Sequence, residues 1–173
     1  GKMQKNTKIR PVSRTHRNLA GGAITPTTSL SKQQTPGINM IVEIDGHSFE
    51  AVFEEDKSPD TCNAFRKAMP FHGEVVHVRW SGEGIWIPLG DRDFEVGYED
   101  ATSYPAPGQI LLYPRGKSET EILIAYGCVQ FASKAGVLAG NHFATITSDL
   151  DKLREIGVST LWEGKKSIVF RDV

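Results

Sequence analysis

The chain has 173 residues, of which 39% are hydrophobic and 24% charged, a composition typical of a globular domain large enough to bury a core. Its apolar runs are no longer than a strand, and its N-terminus has no apolar stretch of the kind that directs secretion. Two cysteines without metal-site spacing are too few for a disulfide framework. We therefore expect a cytoplasmic protein without a membrane segment, cofactor or bound metal, in which Cys62 and Cys128 are small buried residues.

The net charge of −1 combines two parts of opposite sign. Residues 1–36 contain seven Lys and Arg residues and no acidic residue, so this segment carries +7 and the remainder −8. Because it is rich in Thr, Ser, Gln, Asn and Gly, the segment cannot bury enough apolar surface to fold alone. We predict a basic N-terminal arm, 1–36, and a barrel domain, 37–173. The arm is expected to dock on another subunit and build a homo-oligomer; packing on its own domain is the alternative. An acidic body without a stacking platform argues against nucleic acid as a partner.

Beyond Pro36 the chain reads as short strands separated by turn residues. Residues 38–44 and 47–54 flank Asp45-Gly46, a dipeptide that favours a two-residue hairpin turn. A helix is predicted to begin at Ser58 as N-cap, with Pro59 at its first position, and to end at Pro70.

The remaining elements are also mostly strands. They are predicted at residues 73–80, 84–89, 108–114, 119–126, 128–132 and 141–147. A second short helix follows Asp149 and is expected to end at Gly157, with two final strands at 158–162 and 166–171. Evenly spaced strands with two short helices favour a mainly β fold: a closed antiparallel barrel of about eight strands.

Several segments occur in a distinctive order along the chain. Residues 53–61 enter the first helix, Val76-His77 lie on the next strand, and residues 138–142 precede a later strand. With residues 80–83, 101–108 and 140–144, this order resembles the cyclophilin-like superfamily, and specifically a bacterial cyclophilin-like family of unknown function. The resemblance covers about residues 38–172.

The resemblance implies that the barrel is kept and the prolyl isomerase site is not. Cyclophilins place the arginine that polarises the prolyl amide directly after the strand histidine, and this chain has Val78 there. Arg79 follows one residue later and is expected to point to the other face, because strand side chains alternate. The pair that receives the substrate backbone in cyclophilins corresponds to Tyr113-Pro114, and the pocket tryptophan corresponds to Val137.

The replaced groove predicts an aromatic-lined pocket with one carboxylate and one imidazole, the composition of a small-molecule site. The candidate ligand-binding residues are His77, Arg79, Glu83, Trp86, Tyr113, Glu121, Leu138 and His142, with Leu123 beside them.

These candidates also have structural interpretations. Trp86 can be core, His77 and His142 hydrogen-bonded structural groups, and Glu121 a solvated surface residue. Arg79 and Glu83 can form a surface ion pair of little energetic value. Trp80 and Trp162 are assigned to core packing.

Three functions fit these observations. The first is a protein that binds a small metabolite, with no reaction assigned to it. The second is a structural or interaction module that forms a homo-oligomer without a small ligand. The third is residual peptidyl-prolyl cis-trans isomerase activity. Whether the protein is an enzyme stays open at this point.

Overall fold

The computed structural model describes residues 37–173. The predictions made for the arm, residues 1–36, lie outside the described residues. The chain elements, in order, are β1 (Met40–Ile44), β2 (His47–Phe53), α1 (Pro59–Lys67), β3 (Phe71–His77), β4 (Gly82–Gly90), β5 (Ala101–Thr102), β6 (Gln109–Tyr113), β7 (Thr120–Val129), β8 (Ala132–Ser133), β9 (Gly136–Val137), β10 (Gly140–Ile146), α2 (Leu150–Glu163) and β11 (Lys166–Asp172).

Eight of these strands close into an antiparallel barrel, which confirms the predicted fold class. The strands follow each other around the barrel in the order β2, β1, β11, β3, β4, β7, β6 and β10, and β10 pairs with β2 to close it. The first hairpin turns through Asp45 and Gly46, whose φ angles of 53° and 80° are the positive pair that a type I′ turn needs. The short β5 extends β10 at one edge, and β8 and β9 form a separate hairpin.

Apolar side chains from alternate strand positions fill the barrel interior, and both helices contribute to this main core. Cys62 and Phe65 come from α1, and Leu153 and Ile156 come from α2. A second core lies on the outer face of β6 and β7, where the chain after β7 folds back over it; its members are Leu111, Tyr113, Leu123, Ala125, Val129, Phe131 and Leu138. Strands β6 and β7 are therefore buried on both faces, which explains their continuous apolar sequences.

Helix α1 begins at the predicted residue, but its N-terminus is satisfied by a different group. Ser58 precedes the helix without a side-chain cap, because its hydroxyl donates to the His142 carbonyl at 2.8 Å. The carboxylate of Glu99 instead accepts from the backbone N–H groups of Asp60 and Thr61, at 3.0 and 2.7 Å. A distant acidic side chain thus replaces the local cap and complements the positive end of the helix.

Helix α2 is longer than predicted. It continues through Gly157 to Glu163 and ends at Gly164, so the predicted stop at Gly157 and the strand at 158–162 are wrong. Ring atoms of Tyr126 occupy the space that a Cβ atom on Gly157 would need. The glycine serves close packing of the helix on β7 and does not terminate it.

Three expectations about burial are also wrong. Trp80 and Trp162 are 59% and 80% exposed, so neither is a core residue. Cys62 is buried as expected, and burial, with a smaller contribution from Glu55, raises the pKa of its thiol to about 12. Cys128 is exposed, at a non-core position of β7. Within residues 37–173, no helix is both long and apolar enough to span a bilayer.

Candidate functional site

The strand register places most of the predicted groove residues on the outer face of the barrel. Trp86 pairs with Leu123, Leu123 with Leu111, and Leu111 with His142, which makes one continuous row across four strands. In the adjacent row, Glu121 lies between Pro88 and Tyr113. Since directly opposed residues in antiparallel strands share a face, these side chains all emerge on the same side of the sheet.

An open cavity of about 210 Å³ lies at one end of this outer face. Its walls are residues 78–81, Trp86, residues 118, 119 and 121, and residues 132–134 of the β8–β9 hairpin. Of the predicted candidates, this cavity brings together Arg79, Trp86 and Glu121. The volume suits a small molecule better than a folded partner.

Arg79 lines this cavity although alternation predicted that it points away. The expectation assumed that β3 continues past residue 78, but β3 ends at His77. Residues 79–81 form a bend, in which side chains no longer alternate between faces. Val78 and Arg79 consequently both reach the same cavity.

Glu121 is the buried acid of the cavity. Only 6% of this residue is exposed, so the alternative that Glu121 is a solvated surface residue is wrong. Burial, reinforced by the nearby carboxylate of Glu119, raises the pKa of Glu121 to about 7. Near neutral pH this carboxyl group therefore exists in both protonation states, as proton donors and acceptors in binding sites do.

The side chain of Trp86 carries a polar group without a hydrogen-bond partner. The residue is half-buried, and its indole Nε1 is shielded from solvent without a hydrogen-bond acceptor within residues 37–173. An unpaired buried N–H group costs roughly 1–3 kcal/mol. Trp86, with its unpaired N–H group, and Glu121, with its buried acid, line one cavity. Such costly groups are more typical of a ligand site than of a core.

Several cavity residues were missed by sequence reasoning. Lys134 and Ser133 reach the cavity because the β8–β9 hairpin folds back beside β4 and β7. Trp80 also lines it, exposed, where core packing was expected. The Lys134-Ala135-Gly136 stretch signals a turn, but no local pattern shows which surface a hairpin covers.

Tyr113 and Leu138 lie in the second core instead of the open cavity. Tyr113 is buried edge-on against Phe131, with ring centroids 5.9 Å apart, and its hydroxyl accepts from the backbone N–H of Lys117 at 2.9 Å. Leu138 packs in the same cluster. Both residues therefore pack in the second core and do not line the cavity.

His142 belongs to a separate polar cluster. Its Nε2 lies 2.8 Å from the hydroxyl of Thr145, which itself donates to Glu54 at 2.6 Å. Its Nδ1 lies 3.7 Å from a carboxylate oxygen of Asp100. Burial lowers the His142 pKa, although both carboxylates act in the opposite direction. The imidazole therefore has the hydrogen-bond partners of a structural histidine, and it does not line the cavity.

His77 and Glu83 also make structural contacts away from the cavity. His77 Nε2 lies 2.7 Å from the Tyr126 hydroxyl, and its Nδ1 lies 2.8 Å from the Val78 carbonyl. Glu83 pairs with Arg154 of α2 at 2.6 Å, so the expected pair with Arg79 is wrong. The backbone N–H of Cys128 and then Arg154 lower the Glu83 pKa. Glu83 thus connects α2 to β4 and β7, and His77 connects β3 to β7.

Residues 37–173 contain no group of three or more His, Cys, Asp or Glu side chains arranged to hold a metal ion. The cavity itself presents hydrogen-bond donors, the carboxyl groups of Glu119 and Glu121, and aromatic side chains.

The fold and the cavity together define a closed β-barrel protein with a potential ligand site on its outer wall. The chain belongs to the family described as a protein of unknown function, DUF3830, whose model matches residues 40–171. This confirms the prediction of an uncharacterised family. The curated proteins include no sequence match to this chain.

Solved structures show similarity at the level of the fold. The structure of McbB in complex with tryptophan superposes with a TM-score of 0.61 at 17% identity, over 76% of this chain and 44% of McbB. The present chain thus spans less than half the length of that relative. The solution structure of hypothetical protein AF2241 from Archaeoglobus fulgidus gives a TM-score of 0.50 at 14% identity, over 82% of this chain and 99% of AF2241.

Proposed function

We propose that this protein binds a small metabolite in the cavity beside Trp86 and lacks prolyl isomerase activity. The observation that carries the proposal is the buried carboxyl group of Glu121 in a cavity that Trp86 also lines. A ligand that hydrogen-bonds to Glu121 would offset the cost of burying its carboxyl group. McbB, whose longer chain contains a similar barrel, was solved with tryptophan, which is consistent with a small-molecule role.

A thermal-shift screen of a small-metabolite library tests this proposal on three forms of the full chain. We expect at least one compound to raise the melting temperature of the wild type and of Trp162→Ala, but not of Trp86→Ala. Trp162 is the matched control, because it is the same residue type, exposed on α2. Trp86→Ala should cost less than the roughly 3–5 kcal/mol of a fully buried aromatic, because Trp86 is half-buried. The absence of any hit, or hits that shift Trp86→Ala equally, would contradict the proposal.

The absence of isomerase activity is proposed from the groove itself. Cyclophilin-like catalysis needs a positioned donor to the prolyl amide, and Val78 offers none. The second core also fills the corresponding region with Tyr113, Leu123 and Leu138, which leaves no open proline pocket there. In a protease-coupled assay on an X-Pro peptide, the protein should not exceed the uncatalysed rate. A rate comparable to that of cyclophilins would show that Arg79 performs the missing role.

An interaction module is the second candidate, favoured by an apolar stripe on α2. Val158, Leu161 and Trp162 are exposed at i, i+3 and i+4 spacing and therefore share one helix face. Light scattering distinguishes the routes to a homo-oligomer: Leu161→Glu should lower the mass if α2 forms the interface, and deletion of residues 1–36 should do so if the arm does. Equal masses for all forms would exclude both.

We also propose a cytoplasmic location, since Cys62 and Cys128 are both free thiols, as is usual in a reducing compartment. Fractionation of the source cells with an antibody to the protein tests this assignment.

A further inference from the structure

Two cationic side chains at the cavity lack an ion-pair partner within residues 37–173, and one residue of its wall carries an unpaired N–H group. The indole Nε1 of Trp86 has no acceptor. Arg79 and Lys134 both line the cavity, and neither takes part in an ion pair in the described part of the chain. The cavity therefore offers two cations to a bound molecule.

Some acceptors at the cavity are already engaged within the protein. Glu119 accepts from the backbone N–H of Gly90 at 3.0 Å. The Ser81 hydroxyl both donates to and accepts from the backbone of Ala132, at 3.0 Å in each case. Glu121 remains, and burial raises its pKa to about 7, so much of its negative charge is suppressed near neutral pH. Two cations without an ion-pair partner thus share the cavity with the carboxyl groups of Glu119 and Glu121.

The apolar part of the cavity is largely aromatic. Trp80 and Trp86 contribute indole rings, and Val78 adds an aliphatic patch. Planar rings prefer offset or edge contacts with other planar groups, so these walls favour an aromatic or conjugated ligand.

From these contacts we infer that the ligand is a small planar monocarboxylic acid, with its carboxylate bound by Arg79 and Lys134 and its flat part against Trp86. This inference rests on the proposed small-molecule function. A guanidinium and an ammonium group suit a carboxylate because charge-assisted hydrogen bonds are about twice as strong as neutral ones. A doubly charged group such as a phosphate fits less well, because Glu119 and Glu121 line the same cavity.

Binding of an acid should be coupled to proton uptake at Glu121. The titratable groups around it are Glu119 on its own strand segment, Tyr113 opposite on β6, and Arg79 and Lys134 across the cavity. A bound carboxylate adds negative charge beside Glu121 and therefore favours its neutral form, which can donate a hydrogen bond to the ligand. Affinity for an acid should fall as the pH rises above about 7, whereas affinity for an amine should rise.

Three probes of one shape test the inference on the full chain: 2-naphthoate, 2-naphthamide and 2-naphthylmethylammonium, titrated by NMR. We expect 2-naphthoate to bind at least about tenfold more tightly than the amide, because its charged carboxylate accepts stronger hydrogen bonds than the neutral amide does. Arg79→Gln and Lys134→Gln should each reduce this preference by lowering the affinity for naphthoate more than the affinity for naphthamide. Arg171→Gln is the control, since Arg171 is exposed on β11, outside the cavity. Glu121→Gln should remove the pH dependence of naphthoate binding.

These outcomes test the inferred ligand class and the proposed small-molecule function separately. Equal binding of acid and amide, or tighter binding of the amine, would overturn the acid inference while small-molecule binding stands. If none of the three compounds binds, the inference is also overturned, and the library screen against Trp86→Ala then decides the proposed function by itself.

Discussion

Replacement of Glu121 by glutamine should make the protein more stable at alkaline pH. Glutamine has nearly the same shape as glutamic acid but cannot ionise, so it imitates the neutral carboxyl group. Burial makes ionisation of Glu121 costly in the folded state, where its pKa is raised from 4.5 to about 7. The folded wild-type protein therefore holds a proton that the unfolded chain releases more easily.

The pKa values set the sign and the size of this effect. Because the folded pKa is the higher one, the stability contribution of the proton is fully present below about pH 4.5 and is lost as the pH rises through about 7. At 1.36 kcal/mol for each pKa unit, the loss is at most about 3 kcal/mol. Glu121→Gln should avoid this loss, so its advantage over the wild type should develop between pH 5 and pH 8.

Urea unfolding of both proteins at a series of pH values measures the difference. Glu50→Gln is the matched control, because it makes the same chemical change at an exposed position of β2. We expect the control to follow the wild type across the series. If Glu121→Gln instead loses stability with pH as steeply as the wild type, Glu121 is hydrated in the folded protein and the reasoning about a buried acid is wrong.

Two further substitutions test the packing and electrostatics of the helices. Gly157→Ala should destabilise the protein by about 1–3 kcal/mol despite the higher helix propensity of alanine, because its methyl group meets the Tyr126 ring; an unchanged unfolding midpoint would contradict this. Glu99→Gln should cost about 1–2 kcal/mol at pH 7, because α1 loses its anionic acceptor. Burial of Glu99 acts to raise its pKa, but the bonds from Thr61 and Asp60 outweigh it and lower the pKa. Stability from Glu99 is therefore present above pH 4.5 and is lost as the pH falls through the lower folded pKa, which acid titration of the variant measures.

The barrel could be predicted because its strands carry local signals. The Asp45-Gly46 turn, the helix start at Pro59 and the apolar runs of β6 and β7 each indicate a structure that depends on neighbouring residues. The end of α2 could not be predicted in the same way. Gly157 stops a helix by its local preference, but its actual role depends on Tyr126, thirty-one positions earlier in the chain.

The candidate site could be predicted only in part, for the same reason. The strand register brings Trp86, Glu121 and Tyr113 to one face, as the resemblance to cyclophilins implied. Which part of the face stays open depends on the segment after β7, which covers Tyr113 and leaves Trp86 half-buried. The same segment brings Lys134 to the cavity, a contact without a local signal.

The position of the cavity follows from this partial cover. A strand buried on both faces needs apolar residues throughout, and β7 satisfies this need at Leu123 and Ala125 but not at Glu121. A valine or leucine at position 121 would extend the second core and remove a costly buried acid. The chain instead keeps an ionisable group in a cavity that two cations and the half-buried Trp86 also line. Residues that reduce stability are expected where they serve binding. The cavity lined by Trp86 and Glu121, at the edge of the second core, is therefore the part of this barrel where a function is expected.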